Sequence, residues 1–224
     1  MNKKKINLIF DFDGVILNSN SVKTNAFKKI SKCYGDTNSK KLIDYHIKNG
    51  GISRFKKIRW FVENVLKKND DFLIKKLINS YGIEVSNSIL ECELRTDLFK
   101  LKKNLEGSFW SIASGGLEEE ILSYLEKKSL LRLFESGVYG SPTTKLNIVK
   151  KIKANGQKNF ENKWVLIGDS YYDYKCAKLN NINFIFASEW SEIKNYEAFI
   201  AENSIKTITG IEKLNNKFFD FLMQ

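Results

Sequence analysis

Short apolar runs, each ended by polar residues or glycine, recur along the chain and predict buried parallel strands. Four such runs cover residues 6–10, 109–113, 164–167 and 184–187. A fifth strand is predicted at 134–139, although Ser136 and Gly137 interrupt its apolar pattern. Apolar residues at helical spacing predict helices between the strands, at residues 117–128, 145–154 and 171–179.

Strands that alternate with helices of this length predict βαβ units, and therefore an α/β fold with a doubly wound, Rossmann-like parallel sheet. The stretch from residue 21 to 96 differs, because apolar residues such as Ile58, Phe61 and Val65 recur at helical spacing without a core-type strand. We interpret it as an all-helical cap domain inserted into the core. The predicted domains are the catalytic core, residues 1–18 and 97–224, and the cap, residues 19–96.

Two pairs of aspartates follow predicted strands. Asp11 and Asp13 come directly after the first strand, beside Gly14, and Asp169 and Asp173 follow the strand at 164–167, one helical turn apart. Ligands of doubly wound sheets bind at the carboxyl ends of the strands, where these four side chains are expected. Their mutual repulsion suggests a metal site, acid/base chemistry or both, and carboxylate oxygens suit Mg²⁺.

Two further motifs offer donors to a phosphate group. Ser114 and Gly115 follow the second strand, where we expect a helix to begin with free backbone N–H groups, and Lys145 begins the next predicted helix. Each has a plainer explanation when it is taken singly. Ser114 could be a helix N-cap and Lys145 a solvated helix residue. Their occurrence in order at strand ends favours one site that binds phosphate.

The order Asp-x-Asp-Gly, Ser, Lys, Gly-Asp-Ser-x-x-Asp resembles the four signature motifs of haloacid dehalogenase superfamily phosphatases, and the match covers the whole chain, including a cap insertion. The resemblance implies that Asp11 is the nucleophile that becomes phosphorylated and that Asp13 is the general acid/base. It implies that phosphate is bound by Ser114, Gly115 and Lys145. It also implies that Mg²⁺ is surrounded by Asp11, Asp13, Asp169 and Asp173, with Asp13 contributing its backbone carbonyl.

The function that this resemblance implies is Mg²⁺-dependent hydrolysis of a small phosphorylated metabolite, such as a sugar phosphate. The cap is expected to supply the specificity. Gly50 and Gly51 precede Ser53, a candidate N-cap, so Arg54 is expected in the first turn of a cap helix, where it could hold an anionic group. The alternative is a solvated arginine at an ordinary helix start.

A phosphosugar mutase is the main alternative function. The string Gly-x-Ser-Arg ending at Arg54 resembles the cap loop of β-phosphoglucomutases, in which the arginine holds a second phosphate. Lys23 stands where relatives often carry a histidine at the hinge between core and cap, which favours hydrolysis. We expect Lys23 to be solvated, and the alternative is that its charge faces the substrate.

The net charge of +11, from 37 Lys and Arg against 26 Asp and Glu, raises nucleic-acid binding as a non-enzymatic alternative. The lysines are spread along the chain and the predicted acidic cluster opposes a polyanion, so we expect no nucleic-acid partner. Three cysteines without close pairing suit reduced thiols. No apolar stretch is long enough to span a bilayer. We therefore expect a cytoplasmic protein without a membrane partner, a monomer or weak homodimer.

Overall fold

The computed structural model describes residues 6–156, 163–215 and 218–219, and a six-stranded parallel sheet lies at its centre. The strand order is β3-β2-β1-β4-β5-β6, so the chain winds outward from β1 in both directions. The strands are β1 (Ile6–Phe10), β2 (Phe109–Leu117), β3 (Val138–Ser141), β4 (Lys163–Gly168), β5 (Asn183–Ala187) and β6 (Lys206–Ile208). This arrangement confirms the predicted doubly wound α/β fold.

The central strand β1 is buried on both faces of the sheet. All five of its residues are buried, and it pairs with β2 on one side and β4 on the other. Leu8 and Phe10 pack into the apolar cluster on one face, whereas Ile9 packs into the cluster on the other. The mainly apolar run therefore reflects a strand covered by helices on both sides.

In the described part of the chain, five α-helices of 7 to 11 residues lie outside the insertion and flank the sheet. They are α5 (Leu98–Asn104), α6 (Glu118–Lys127), α7 (Lys145–Asn155), α8 (Tyr171–Leu179) and α9 (Tyr196–Asn203). The predicted helices at 117–128, 145–154 and 171–179 match α6, α7 and α8 within one residue at each end. The short elements α5, α9 and β6 were not predicted. No helix in the described ranges is long and apolar enough to span a membrane.

The strand predicted at 134–139 is wrong in position. Phe134 lies in a turn, where its ring packs against Phe10 and Trp110, and Gly137 has a φ of +100°. The strand starts only at Val138. An apolar residue buried in a turn therefore gave the same local pattern as a strand residue.

Four helices lie between β1 and α5, in residues 19–96, and we call this segment the helical insertion. They are α1 (Asn20–Ser31), α2 (Asp36–Lys48), α3 (Arg54–Trp60), which continues as a π-helical turn over Phe61–Val65, and α4 (Asp71–Ser86). They pack around an apolar cluster of their own, separate from the two clusters that cover the sheet. The division into two domains at these boundaries stays a prediction.

Candidate active site

A buried ammonium group lies between two carboxylates at the carboxyl ends of the central strands. Asp11 follows β1 directly, Lys145 begins α7, and Asp173 lies in the first turn of α8. The Nζ atom of Lys145 is 2.7 Å from Oδ2 of Asp11 and 2.5 Å from Oδ1 of Asp173. All three side chains are buried. Burial lowers the pKa of Lys145, but the charges of Asp11 and Asp173 outweigh it and raise the pKa above its ordinary value.

The N-terminus of α8 fixes the carboxylate of Asp173. The hydroxyl of Ser170 donates to Oδ2 of Asp173 at 2.6 Å, and the backbone N–H of Ser170 donates to the same oxygen at 3.1 Å. In return, the N–H of Asp173 donates to the Ser170 hydroxyl at 3.2 Å, which completes a capping box. The helix start thus holds one oxygen of Asp173 and leaves the other toward Lys145.

Asp169 lies in the turn between β4 and α8, and a residue of the insertion holds its side chain. Nδ2 of Asn20 donates to Oδ2 of Asp169 at 2.6 Å and to the carbonyl oxygen of Trp190 at 2.9 Å. Gly14 has a φ of +76°, and a Cβ at this position would collide with the Asp169 carboxylate. Gly14 is therefore required on both conformational and steric grounds.

Three of the four predicted metal ligands bring their carboxylates together. Oxygens of Asp11, Asp169 and Asp173 lie within 4.8 Å of one another. Burial raises the pKa of Asp11 to about 7; Lys145 opposes this shift, while the charges of Asp173 and Asp13 add to it. Burial, followed by the charges of Asp11 and Asp173, raises the pKa of Asp169 well above its usual range. A bound divalent cation would relieve this repulsion, and three buried carboxylates are a donor set that suits Mg²⁺.

The carboxylate of Asp13 lies outside that cluster and has different partners. It forms an ion pair with Lys23 of α1, and it accepts a hydrogen bond of 2.6 Å from the hydroxyl of Ser19. Burial raises the pKa of Asp13, but Lys23 and Ser19 outweigh burial and lower it below its ordinary value. The expectation of a solvated Lys23 is therefore wrong. Its side chain is 14% exposed because it reaches from α1 toward the end of β1.

Ser114 and Gly115 lie in the irregular end of β2, and no helix begins at them. The register of β2 with β3 shifts between Ala113 and Leu117, and α6 begins only after this shift. The Ser114 hydroxyl is 3.4 Å from Oδ2 of Asp13 and accepts the N–H of Gly116 at 2.9 Å. The expected helix start is therefore wrong, although Ser114 lies beside Asp13 and Gly115 lines the same cavity as Asp11 and Asp169.

The loop before α3 reaches over this cluster. A Cβ at Gly115 would collide with the carbonyl oxygen of Gly51, so the absence of a side chain at Gly115 permits this close approach. Gly51 itself has a φ of +77°, and a Cβ there would lie 3.5 Å from Nζ of Lys145. Gly51, one of the two glycines predicted to precede a cap helix, thus lies directly above the buried lysine.

Arg54 begins α3, as predicted, but it is neither solvated nor held by a capping serine. It is buried, forms an ion pair with Glu120 of α6, and lies with its guanidinium 5.0 Å from the centre of the Tyr81 ring. Ser53 occupies the N-cap position, yet its side chain makes no capping hydrogen bond. The alternative of a solvated arginine is therefore wrong, and Arg54 links the insertion to the sheet layer.

A cavity of about 70 Å³ lies between the acidic cluster and the insertion. Its lining includes Asp11, Asp13, Gly115 and Asp169 on one side and Arg54, Lys57 and Tyr81 on the other. The cavity is also lined by three residues that the sequence motifs do not indicate, namely Lys57, His46 and Glu192. The available signals were the spacing of Lys57, three residues after Arg54 on one helix, and the fact that His46 is the chain's single histidine.

Comparison with known proteins supports the same fold. A family described as Haloacid dehalogenase-like hydrolase matches residues 8–187, whereas no curated protein matches the chain. Among solved structures, a predicted phosphatase from Clostridium acetobutylicum is 16% identical over 97% of this chain and 99% of that chain, with a TM-score of 0.72. A "Putative beta-phosphoglucomutase" from Bacteroides vulgatus is 13% identical over 99% of this chain and 90% of that chain, with a TM-score of 0.73. At these identities the two structures show a shared fold.

Proposed function

The chain belongs to the haloacid dehalogenase-like hydrolase family, and on this premise we propose that it is a Mg²⁺-dependent phosphatase of small phosphorylated metabolites. The observation that carries the proposal is the burial of Asp11 beside Lys145 and two further aspartates, directly below a cavity. A carboxylate that attacks phosphorus must approach a dianionic group, so positive charge has to be held at that position. Lys145 supplies a fixed cation there.

In this proposal, Asp11 attacks the phosphorus atom and forms an aspartyl phosphate, which water then hydrolyses. The N–H of Phe12 donates to Oδ1 of Asp11 at 2.7 Å, and Lys145 holds Oδ2. The carboxylate is thus oriented before substrate binds. Ser114, the backbone of Gly115 and Lys145 would hold the oxygens of the transferred group.

Mg²⁺ would be held by the carboxylates of Asp11, Asp169 and Asp173, together with the backbone carbonyl of Asp13. The fit rests on the three buried carboxylates within 4.8 Å of one another, whose mutual repulsion Lys145 alone does not remove. When bound, the ion would neutralise charge on the phosphate and on the attacking carboxylate. The side chain of Asp13 would remain free for proton transfer.

Asp13 would protonate the leaving oxygen and later take a proton from the attacking water. Its ion pair with Lys23 favours the carboxylate form, which suits the second step. The first step needs a protonated Asp13. We therefore infer that the Lys23 ammonium turns from Asp13 toward the bound phosphate before the leaving oxygen is protonated. Lys23 would then contact the substrate, whereas the sequence predicts a solvated side chain.

A phosphomutase is the second candidate, and one observation favours it. Arg54 is buried and lines the cavity, as expected for an arginine that grips a second phosphate. Two features favour hydrolysis. Lys23 stands where relatives often carry a histidine, and the charge of Arg54 is already paired with Glu120. A mutase would return the phosphoryl group to the sugar, whereas a phosphatase transfers it to water.

The decisive experiment is a screen of the purified protein, with Mg²⁺, against a panel of phosphorylated metabolites that includes sugar monophosphates and sugar bisphosphates. Inorganic phosphate and isomerised sugar phosphates are measured in the same reactions. Release of phosphate without isomers supports the phosphatase. Isomerisation that depends on a sugar bisphosphate, with little free phosphate, would support the mutase. Absence of both products across the panel would contradict the proposal.

A further inference from the structure

One end of the cavity is formed by a buried lysine amine that has no carboxylate partner in the described part of the chain. Lys57 of α3 lines the cavity and is 3% exposed. In the described part of the chain, no carboxylate lies within 4.0 Å of its Nζ atom. Its hydrogen bonds go to Nδ1 of His46 at 2.7 Å and to the carbonyl oxygen of His46 at 3.4 Å. Because a buried charge is costly unless it is paired, an anion bound in the cavity would stabilise the ammonium form of Lys57.

The hydrogen bonds around His46 define which atoms donate. The Thr24 hydroxyl donates to Glu192 at 2.7 Å, so its oxygen accepts from Nε2 of His46 at 3.1 Å. Nδ1 is then the acceptor for Lys57. Burial, together with the charges of Lys57 and Lys23, lowers the pKa of His46 well below its ordinary value. A neutral His46 therefore orients Lys57 without compensating its charge.

Glu192 does not serve as the missing anion. Its oxygens accept two contacts from Thr24, at 2.7 and 3.0 Å, and one of them lies 3.9 Å from Nε2 of His46. It attracts Lys57 through space, but from beyond ion-pair distance. The hydrogen bonds run from Lys57 to His46, then to Thr24 and finally to Glu192. The ammonium group and the Glu192 carboxylate therefore do not contact each other.

A second hydrogen-bond donor lines the same cavity as Lys57. It is the hydroxyl of Tyr81 of α4, whose side chain is buried. Both groups lie against the same ring: the Tyr81 ring centre is 4.4 Å from that of Phe27, and Nζ of Lys57 is 5.8 Å from it. Arg54, in contrast, already has Glu120 as its partner. In the described ranges, Lys57 and Tyr81 are therefore donors of the cavity wall that take part in no ion pair.

We propose that Lys57 and Tyr81 bind a carboxylate on the leaving group, so that the substrates are phosphate monoesters of small hydroxy acids. This inference rests on the proposed phosphatase function and adds the substrate class. Two of the three ammonium hydrogens of Lys57 face His46, which leaves one for a carboxylate oxygen, while Tyr81 can donate to the other. The cavity of about 70 Å³ holds several water-sized groups, which is consistent with a short leaving group.

The test compares two nearly isosteric esters, phosphoglycolate and its neutral amide, on the wild type and on Lys57→Met. We expect the wild type to prefer the acid, and Lys57→Met to lower kcat/KM for the acid by roughly 10 to 100-fold. Turnover of the amide should change by less than about twofold. Lys76→Met, which removes an exposed lysine of α4, is the matched control and should leave both esters unaffected. Melting curves show whether each variant is folded.

Two outcomes would overturn the inference while leaving the phosphatase intact: equal losses on acid and amide in Lys57→Met, or a wild-type preference for ethylene glycol bisphosphate over the acid. Calorimetric titration of the two esters into Asp11→Asn supplies a second readout, because binding is then measured without turnover. Tighter binding of the acid that Lys57→Met removes would support the carboxylate site even if no ester is hydrolysed. Equal binding of both esters would contradict it. Tyr81→Phe should give a smaller loss, confined to the acid.

Discussion

Arg54 of the helical insertion forms an ion pair with Glu120 of α6, across the boundary between the insertion and the sheet layer. The guanidinium is buried, whereas the Glu120 side chain is 38% exposed. The same guanidinium lies over the Tyr81 ring at the edge of the cavity. Arg54 can therefore have one of two roles. It contacts the substrate, or it holds the insertion against the sheet layer.

Substitution of each partner separates these two roles. If Arg54 contacts the substrate, Arg54→Ala should lower kcat/KM for the physiological ester by roughly 10 to 100-fold, while p-nitrophenyl phosphate, which lacks a remote anionic group, is barely affected. Glu120→Gln should then have little effect, because it frees the guanidinium without removing it. If the ion pair instead holds the insertion against the sheet layer, both variants should lower kcat/KM for both substrates by the same factor. Steady-state kinetics on the two variants, with melting curves, decides between the roles.

Asp11→Asn should abolish turnover, by about 10³-fold or more, because it removes the attacking carboxylate at almost constant volume. The fold should be retained, since the change also removes one charge from a crowded acidic cluster. Asp44→Asn, an exposed position on α2, is the matched control for the same chemical change. Activity of Asp11→Asn near that of the control would rule out Asp11 as the nucleophile.

Removal of the metal should abolish the phosphatase activity. Chelation should abolish hydrolysis and Mg²⁺ should restore it, whereas Ca²⁺, with its larger and looser coordination, should support little turnover. Mg²⁺ should also stabilise the folded protein, by about 2.7 kcal/mol at a concentration 100 times its Kd. Asp173→Asn should lose most of this stabilisation, which a thermal melt with and without Mg²⁺ would measure. Full activity after rigorous chelation would contradict the proposed site.

The sequence predicted the parts of the fold that depend on local pattern. β1 and β4 are mainly apolar because both lie inside the sheet, and the predicted positions of Asp11 and Asp169 agree with the structure because these residues directly follow the two strands. Phe134 is an exception. Its apolar character reflects contacts with rings that are distant along the chain, and the local pattern around it also fits a strand.

The cavity wall contributed by the insertion could not be predicted in the same way. Lys57, His46 and Glu192 come from α3, α2 and the segment after β5, and only the packing of the insertion against the sheet layer brings them together. Lys23 was expected in solvent for a related reason. A lysine on a polar helix gives no local sign of its ion-pair partner, which here is Asp13 at the end of another element.

Lys145→Met should destabilise the metal-free protein. It would leave the buried carboxylates of Asp11 and Asp173 without their shared cation, at a cost of roughly 3–5 kcal/mol. For a chain of this length, that corresponds to a fall in Tm of about 6–20 °C. The double variant with Asp173→Asn should recover part of the loss, whereas Lys150→Met, an exposed position on α7, should have little effect. A Tm for Lys145→Met equal to that of the Lys150 control would show that the buried ion pairs contribute nothing.

The pH dependence of stability should report on Lys57. Burial lowers the pKa of Lys57 from 10.5 to about 7 in the folded protein. The charges that act on it are those of Lys23, Glu192, Asp13 and Lys145. Between about pH 7 and 10 the unfolded chain therefore holds a proton that the folded protein has released, so stability rises with pH in this window. Below about pH 7 both states are protonated and this contribution is constant.

Lys57→Met lacks this titration, so the free energy of unfolding of the wild type should rise relative to that of the variant by roughly 2 kcal/mol between pH 7 and 9. Urea unfolding of both proteins at pH 6, 7, 8 and 9 measures the difference, and Lys76→Met is the control for loss of an exposed lysine. Saturation with phosphoglycolate should raise the pKa of Lys57 in the folded protein and flatten the slope, because the carboxylate stabilises the charged amine. A difference between wild type and variant that does not change with pH would mean that Lys57 keeps an ordinary pKa and has an anionic partner already.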